Sequence, residues 1–348
     1  MEAIAVSRAL MSRSLKRRYL VFTLLLLTTM VLMAMNISIG SISYPLSQVW
    51  TTLTTPGLDS DLSFIIWKIR LPRALAAAMG GAFLAASGLL LQVYFRNPIV
   101  GPFILGISSG ATVMVSLVML TSAGLQLAFA TPFLTTVAGC VGAYAVMMLV
   151  VAIAAKVKSG ATLLIVGLMM GYLCSAFTAI ITALAEKEKI KGFILWQLGS
   201  FSGFKWVEIW IMVVFGGALL LGIYLLSKPL NAFLLGEDYA ASMGVNIRRF
   251  RLFILLAASS LAGLVTSLAG PVAFIGLAVP HMARLSFGTS DNRILLPGAV
   301  LMGALVTSLC DLIARMWLSP VELPLSAITA FFGAPIVIGL LLKRGMRT

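Results

Sequence analysis

LSKPLNAFLLGEDYAASMGVNIRRFR, residues 226–251, is the longest interior run that could not sit in lipid. It gathers Lys228, Glu237, Asp238, Arg248, Arg249 and Arg251 in a chain of which only 10% is charged. Apolar runs flank it, Trp210–Leu226 before and Leu252–Ala269 after. Within it Tyr239, Ala240, Ala241, Ser242 and Met243 lie between Gly236 and Gly244, which predicts a short helix bounded by glycines. Glu237 and Asp238 fall in its first turn, where carboxylates favour the N-terminal dipole. The arginine-rich exit marks the cytoplasmic side of the next span. Composition alone leaves two roles level for this loop, a docking element for a soluble protein or a plain connection.

The rest of the chain follows from those flanks. Of 348 residues 60% are hydrophobic, and the mean hydropathy is +1.07. Many windows reach the roughly 18 apolar residues needed to cross about 30 Å of hydrocarbon. The apolar runs are continuous rather than alternating, which excludes a β-barrel and predicts an all-α polytopic membrane protein. Spans are expected at about 19–39, 65–95, 103–120, 130–155, 162–185, 208–226, 251–269, 295–318 and 325–342, with a broken piece near 270–288 as a tenth. The whole chain reads as one transmembrane domain.

Residues 1–18, with Arg8, Arg13, Lys16, Arg17 and Arg18, precede an apolar run too long for a signal peptide and without a clear cleavage site. The expectation is an uncleaved first span. An N-terminus inside then puts 17 of the 25 lysines and arginines on the cytoplasmic face, with only Glu2, Glu237, Asp238 and Asp291 among the acids. Both termini are therefore expected to be cytoplasmic. The same bias accounts for the +14 net charge without nucleic acid, for which no water-exposed basic domain exists.

Few residues could carry chemistry. No GxxxxGK[ST] loop is present, so ATP is not bound here through a P-loop. His281 stands alone, and a lone histidine at a span end is more often structural than a ligand. Cys140, Cys174 and Cys310 lie in apolar runs with no CxxC and read as small core residues. No metal cluster, cofactor site or catalytic constellation is expected.

Charge inside the spans is scarce, which disfavours proton or ion coupling through intramembrane relays. Asp311 and Arg315 are spaced to pair on one helical face toward the outer half. Arg70 and Arg73 stand at the outer end of the second span, where snorkelling is the bland account and an electropositive rim with Arg315 the functional one. Ala77, Gly80, Gly81, Ala85 and Gly88 along that span permit close helix packing. In GPVAFIGLAVPHMARLSFG (270–288), irregular backbone at membrane depth implies either burial by neighbours or a cavity wall.

Taken in order, RLPR (70–73), RNPIVGPFILGISSGA (96–111), GEDYAASMGV (236–245), GPVAFIGLAVPHMAR (270–284), LLPGA (295–299) and ELPLSAITAFFGAP (322–335) resemble the permease subunits of ATP-binding-cassette importers for iron-siderophore, haem and cobalamin. The resemblance runs from about Ile69 to Lys343. It implies a fold of about ten spans in a bacterial or archaeal cytoplasmic (inner) membrane. It also implies a second permease copy, two cytoplasmic ATPases that hold ATP and Mg, and an external or periplasmic substrate-binding protein. By the same resemblance Gly236, Glu237, Asp238, Tyr239, Ala240, Ser242, Met243, Gly244, Arg248 and Arg249 belong to a helix that couples to the ATPase. Arg70, Arg73 and Arg315 look like docking arginines for the binding protein, against the bland account above. Asn97 and Ile99 with Gly160 and Ala161 resemble loops that narrow the inner end of the pathway. Gly160-Ala161 replaces the hydroxylated pair of the cobalamin permease, which weakens cobalamin as the cargo. A ferric siderophore, the substrate class that dominates the family, is the expected cargo, with haem or cobalamin as the alternative. An ion-coupled secondary transporter or a membrane enzyme would need groups that this sequence lacks.

Overall fold

A computed structural model describes residues 2–40, 42, 44–55, 61–121, 131–154 and 160–345; the side chains of residues 2–14, 131, 154, 160, 161, 163, 340, 341 and 343–345 lie outside the description. Most of the described residues are helical, with no strand among them. In chain order the helices are α1 (Glu2–Ser38), α2 (Leu46–Thr54), α3 (Asp61–Tyr94), α4 (Ile107–Leu120), α5 (Thr131–Ala154), α6 (Gly160–Ala183) and α7 (Lys187–Gln197). They continue with α8 (Trp206–Leu225), α9 (Ser227–Leu235), α10 (Glu237–Ser242), α11 (Ile247–Ala269), α12 (Ile275–Phe287), α13 (Asn292–Met316) and α14 (Leu325–Gly345). Helices α1, α3, α5, α6, α8, α11 and α13 are long and apolar enough to cross a membrane, and α4 and α14 are shorter apolar helices. With α12 these match the ten predicted segments one for one.

The fold is organised by α3. In its apolar window 83% of residues are buried, against 17% for α6. It packs on α11, α12 and α13, while α5 closes on α4 and α11. Small residues set these approaches. A methyl group on Gly81 would overlap the Gly303 carbonyl of α13, and one on Gly88 would overlap the Gly276 carbonyl of α12. The same closeness joins Gly110 of α4 to Gly142 of α5. Such contacts let backbones meet where lipid supplies no hydrophobic drive between helices.

The broken eighth segment divides. Residues 270–274 are non-helical, and α12 then runs through Pro280 to Phe287. The predicted outer segment at 186–207 contains a helix that was not expected, α7, packed on α4. The connecting loop likewise holds two helices, α9 and α10, where one was expected.

Candidate functional site

Helices α4, α6, α7 and α14, with the non-helical segment before α12, line a half-open cavity of about 1070 Å³. Its wall is brought together by glycine contacts. Gly106 opens α4 with a left-handed backbone (φ 74°) and lies against Gly167 and Gly171 of α6. That approach sets Ser108, Ser109 and Thr112 of α4 facing Ser175, Thr178 and Thr182 of α6. The α6 residues recur at three- and four-residue spacing and so share one helical face. Pro271, Ala273 and Phe274 form another side, and Pro324, Ser326 and Ala327 the end near α7. Phe274 has a left-handed backbone (φ 65°), a strained state for an aromatic residue, and its ring occupies the space left by Gly333. None of the described lining residues is charged. The irregular backbone at 270–274 is thus a cavity wall, and Pro280 lies inside α12.

The end that the charge bias puts outside carries a buried ionic network. Arg73 is 6% exposed. It donates from Nη2 to Asp311 Oδ1 at 3.0 Å and from Nε to Asp311 Oδ2 at 3.1 Å. Its Nη1 reaches Glu322 Oε1 at 2.6 Å. The Asp311–Arg315 pair expected from spacing is not formed: Arg73 takes the carboxylate, and Arg315 Nη2 donates to the Asn36 carbonyl at 3.0 Å. Arg70 is equally buried and donates to the carbonyls of Ile37 (2.8 Å), Ser38 (2.7 Å) and Ile42. Neither Arg70 nor Arg73 therefore stands free at a rim; both tie α3 to neighbouring chain, at α1 and at α13. Glu322 and Asn36 were missed from sequence. Asn36, an amide in an apolar run, was the available signal.

At the opposite end α10 is held between two glycines of positive φ, Gly236 (141°) and Gly244 (84°). Ala240 is the buried residue of this helix, while Leu235, Tyr239 and Met243 are exposed apolar side chains. Asp238, Ser242, Arg248 and Arg249 are exposed, and Glu237 pairs with Arg251 of α11. Asn246 caps α11 by accepting from the Arg249 N–H at 3.1 Å. Nearby Asn97 closes a turn by accepting from the Ile99 N–H at 3.1 Å. Gly160 and Ala161 begin α6, and their side chains lie outside the described residues.

A second tie at this end was not foreseen. Asn231 of α9 donates from Nδ2 to Asp291 Oδ1 at 2.6 Å and accepts from the Asn292 N–H at 2.8 Å. Asp291 also caps α13 by accepting from the Arg293 N–H. Partial burial pulls its carboxyl up, but the hydrogen bonds from Arg293 and Asn231 and the nearby arginines outweigh that and hold it below its ordinary value. Tyr94, at the end of α3, stacks on Phe233 of α9. The exposed α9–α10 segment is thus fastened to α3 and α13.

Similar proteins place this arrangement. The family model of the FecCD transport family matches residues 26–343. The vitamin B12 import system permease protein BtuC of Klebsiella pneumoniae is 34% identical over 345 residues, covering 99% of this chain and 98% of that protein. The protein of the same name from Salmonella paratyphi A is 36% identical over 286 residues, covering 82% and 86%. Among solved structures, an inward-facing metal-chelate type ABC transporter superposes with a TM-score of 0.77 at 28% identity, covering 94% of this chain and 99% of that one. PsaBC from Streptococcus pneumoniae shares the fold at a TM-score of 0.55 and 15% identity.

Proposed function

Since this chain belongs to the FecCD transport family, we propose that it imports a cobalamin-type metal chelate as the membrane-spanning subunit of an ATP-binding-cassette importer. The ferric siderophore expected from sequence gives way to the alternative, because relatives matched over nearly their full length carry the vitamin B12 name. The observation that carries the transport reading is the cavity. At about 1070 Å³ it stands at the upper end of small-molecule sites, and no charged residue lines it among the described residues. Such a wall offers no relay for proton or ion coupling, so the work must come from outside the membrane.

ATP hydrolysis belongs to a partner ATPase. We assign its docking to Gly236–Gly244 with Arg248 and Arg249, on the support of the exposed apolar side chains of Leu235, Tyr239 and Met243. Movement there would pass through the Asn231–Asp291 tie to α13 and through Phe233 to α3. An external binding protein is proposed to dock near Arg70, Arg73 and Arg315. A carboxylate reaching Arg73 would first have to displace Glu322. Asn97 and Ile99 with Gly160 and Ala161 are proposed to narrow the inner end. Two copies of the chain would face each other, with both termini in the cytoplasm.

The test is uptake by a strain lacking this gene, with labelled cobalamin, haem and a ferric siderophore compared side by side. Loss of cobalamin uptake alone is expected, restored by the intact gene and not by one lacking residues 236–244. Loss of siderophore uptake alone would overturn the cargo assignment.

A further inference from the structure

Four of the hydroxyl groups that line the cavity are not neutral in what they offer. Thr112 donates its proton to the Ser108 carbonyl at 2.9 Å, and Ser175 donates to Gly171 at 2.9 Å. Thr182 donates to Thr178 at 2.8 Å, and Ser326 donates to Leu198 at 2.8 Å. Each hydroxyl has one proton and two lone pairs. With the proton committed to a backbone carbonyl, the oxygen turns only acceptor capacity toward the cavity. Four such oxygens, from α4, α6 and α14, therefore make a seam that accepts hydrogen bonds and carries no charge.

We propose that this seam selects the cargo: it favours a neutral chelate whose rim displays N–H or O–H donors, such as carboxamides, and disfavours an anionic chelate whose rim displays oxygen acceptors. The proposal rests on the importer reading and deepens it. Along this seam a carboxylate or catecholate oxygen would lose water and meet lone pairs. The donors that the described lining also holds, the Gln197 amide and the hydroxyls of Ser108, Ser109 and Thr178, are neutral, and none of the described lining residues is a cation that would compensate the charge. A rim amide would exchange water for a seam oxygen at little cost. The selection is modest at each position, so the cargo is passed along rather than held.

The test uses the complete transporter, with its ATPase and binding protein, in proteoliposomes. Four cargoes are compared: cobalamin, cobalamin with one rim carboxamide hydrolysed to carboxylate, a ferric trihydroxamate bearing amide N–H groups, and a ferric tris-catecholate. Rates are divided by occupancy of the binding protein, measured separately. Thr112→Val and Thr182→Val remove the oxygen at nearly constant volume, and Thr182→Ser restores it. Amide-bearing cobalamin is expected to outpace its carboxylate form. Each valine should slow it about two- to tenfold and narrow the gap between the two forms, while Thr182→Ser retains the intact rate. ATP hydrolysis stimulated by the loaded binding protein reports that each variant is assembled. Transport of the trihydroxamate in place of cobalamin, slowed by the same valines, would uphold the seam and overturn the cobalamin reading. Preferred transport of the tris-catecholate, or valine variants that leave the preference between amide and carboxylate unchanged, would overturn the seam.

Discussion

Arg73 illustrates how much one side chain can decide. It holds two carboxylates that differ in their access to water: Asp311 is 1% exposed and Glu322 is 41% exposed at the side chain. Breaking a buried pair leaves an uncompensated charge and costs about 3–5 kcal/mol, whereas an exposed pair is worth at most about 1 kcal/mol. Asp311→Asn should therefore lower the thermal midpoint of the detergent-solubilised protein far more than Glu322→Gln. Equal losses would show that Arg73 relies on both carboxylates alike. Asp291 gives a pH prediction. Its folded pKa is lowered, so its contribution is complete above the ordinary carboxylate range and is lost as pH falls below 3.8 through the folded value. Asp291→Asn should cost stability at neutral pH and flatten the acid limb of a stability profile. An unchanged acid limb would count against the tie. The two acids also differ in what spacing could show. Asp311 and Arg315 at i, i+4 suggested a pair, but the partner of Asp311 comes from 238 residues away. Helical spacing lists which neighbours are available and does not rank them against distant ones.

At the scale of elements, hydropathy and punctuation carried most of the fold. Apolar length placed the spanning helices, and Gly236 and Gly244 bracketed α10 as their spacing indicated. Helix α9 was not legible, because SKPLNAFLL has a proline and little apolar length, and its order comes from tertiary partners, Asn231 on Asp291 and Phe233 under Tyr94. The cavity was legible only as a broken segment at 270–288. Its hydroxyl face on α6 read as ordinary span composition, since pattern alone does not reveal which side faces inward. The tie from α9 to α13 leads to a prediction at this scale. Asn231→Ala removes one acceptor and one donor outside the cavity and outside α10. The assembled complex should still hydrolyse ATP at near its normal rate while uptake per ATP falls several-fold. A parallel fall in both would place Asn231 in ATPase docking instead of in transmission. Packing gives a second element-scale expectation. Gly88→Ala forces a methyl group onto the Gly276 carbonyl, and separating α3 from α12 should cost at least about 1–3 kcal/mol, read as a lowered midpoint.

For the molecule as a whole, the distribution of burial points beyond the single chain. Helix α6 crosses the membrane region with 17% of its apolar window buried, yet one of its faces carries Ser175, Thr178 and Thr182. Tyr172, Leu173, Phe177 and Ile180, also on α6, are largely exposed. An apolar face can rest against lipid, but the lone pairs that Ser175 and Thr182 keep after donating to their own helix would find no donor in hydrocarbon. The second copy proposed above would resolve this by turning the two hydroxyl seams toward a shared, water-accessible pathway, with the apolar residues of α6 packed at its edges. Ser175 is exposed and lines the cavity, so it should lie across the pathway from its counterpart. With Cys140, Cys174 and Cys310 replaced by alanine, Ser175→Cys should be joined between identical chains by a short bifunctional maleimide in native membranes, and cargo-loaded binding protein with ATP should change the yield. Tyr19→Cys, on an exposed stretch of α1, should give monomer only. Cross-linking from Tyr19 and none from Ser175 would mean that the copies associate through α1 and that the cavity opens toward something other than its twin.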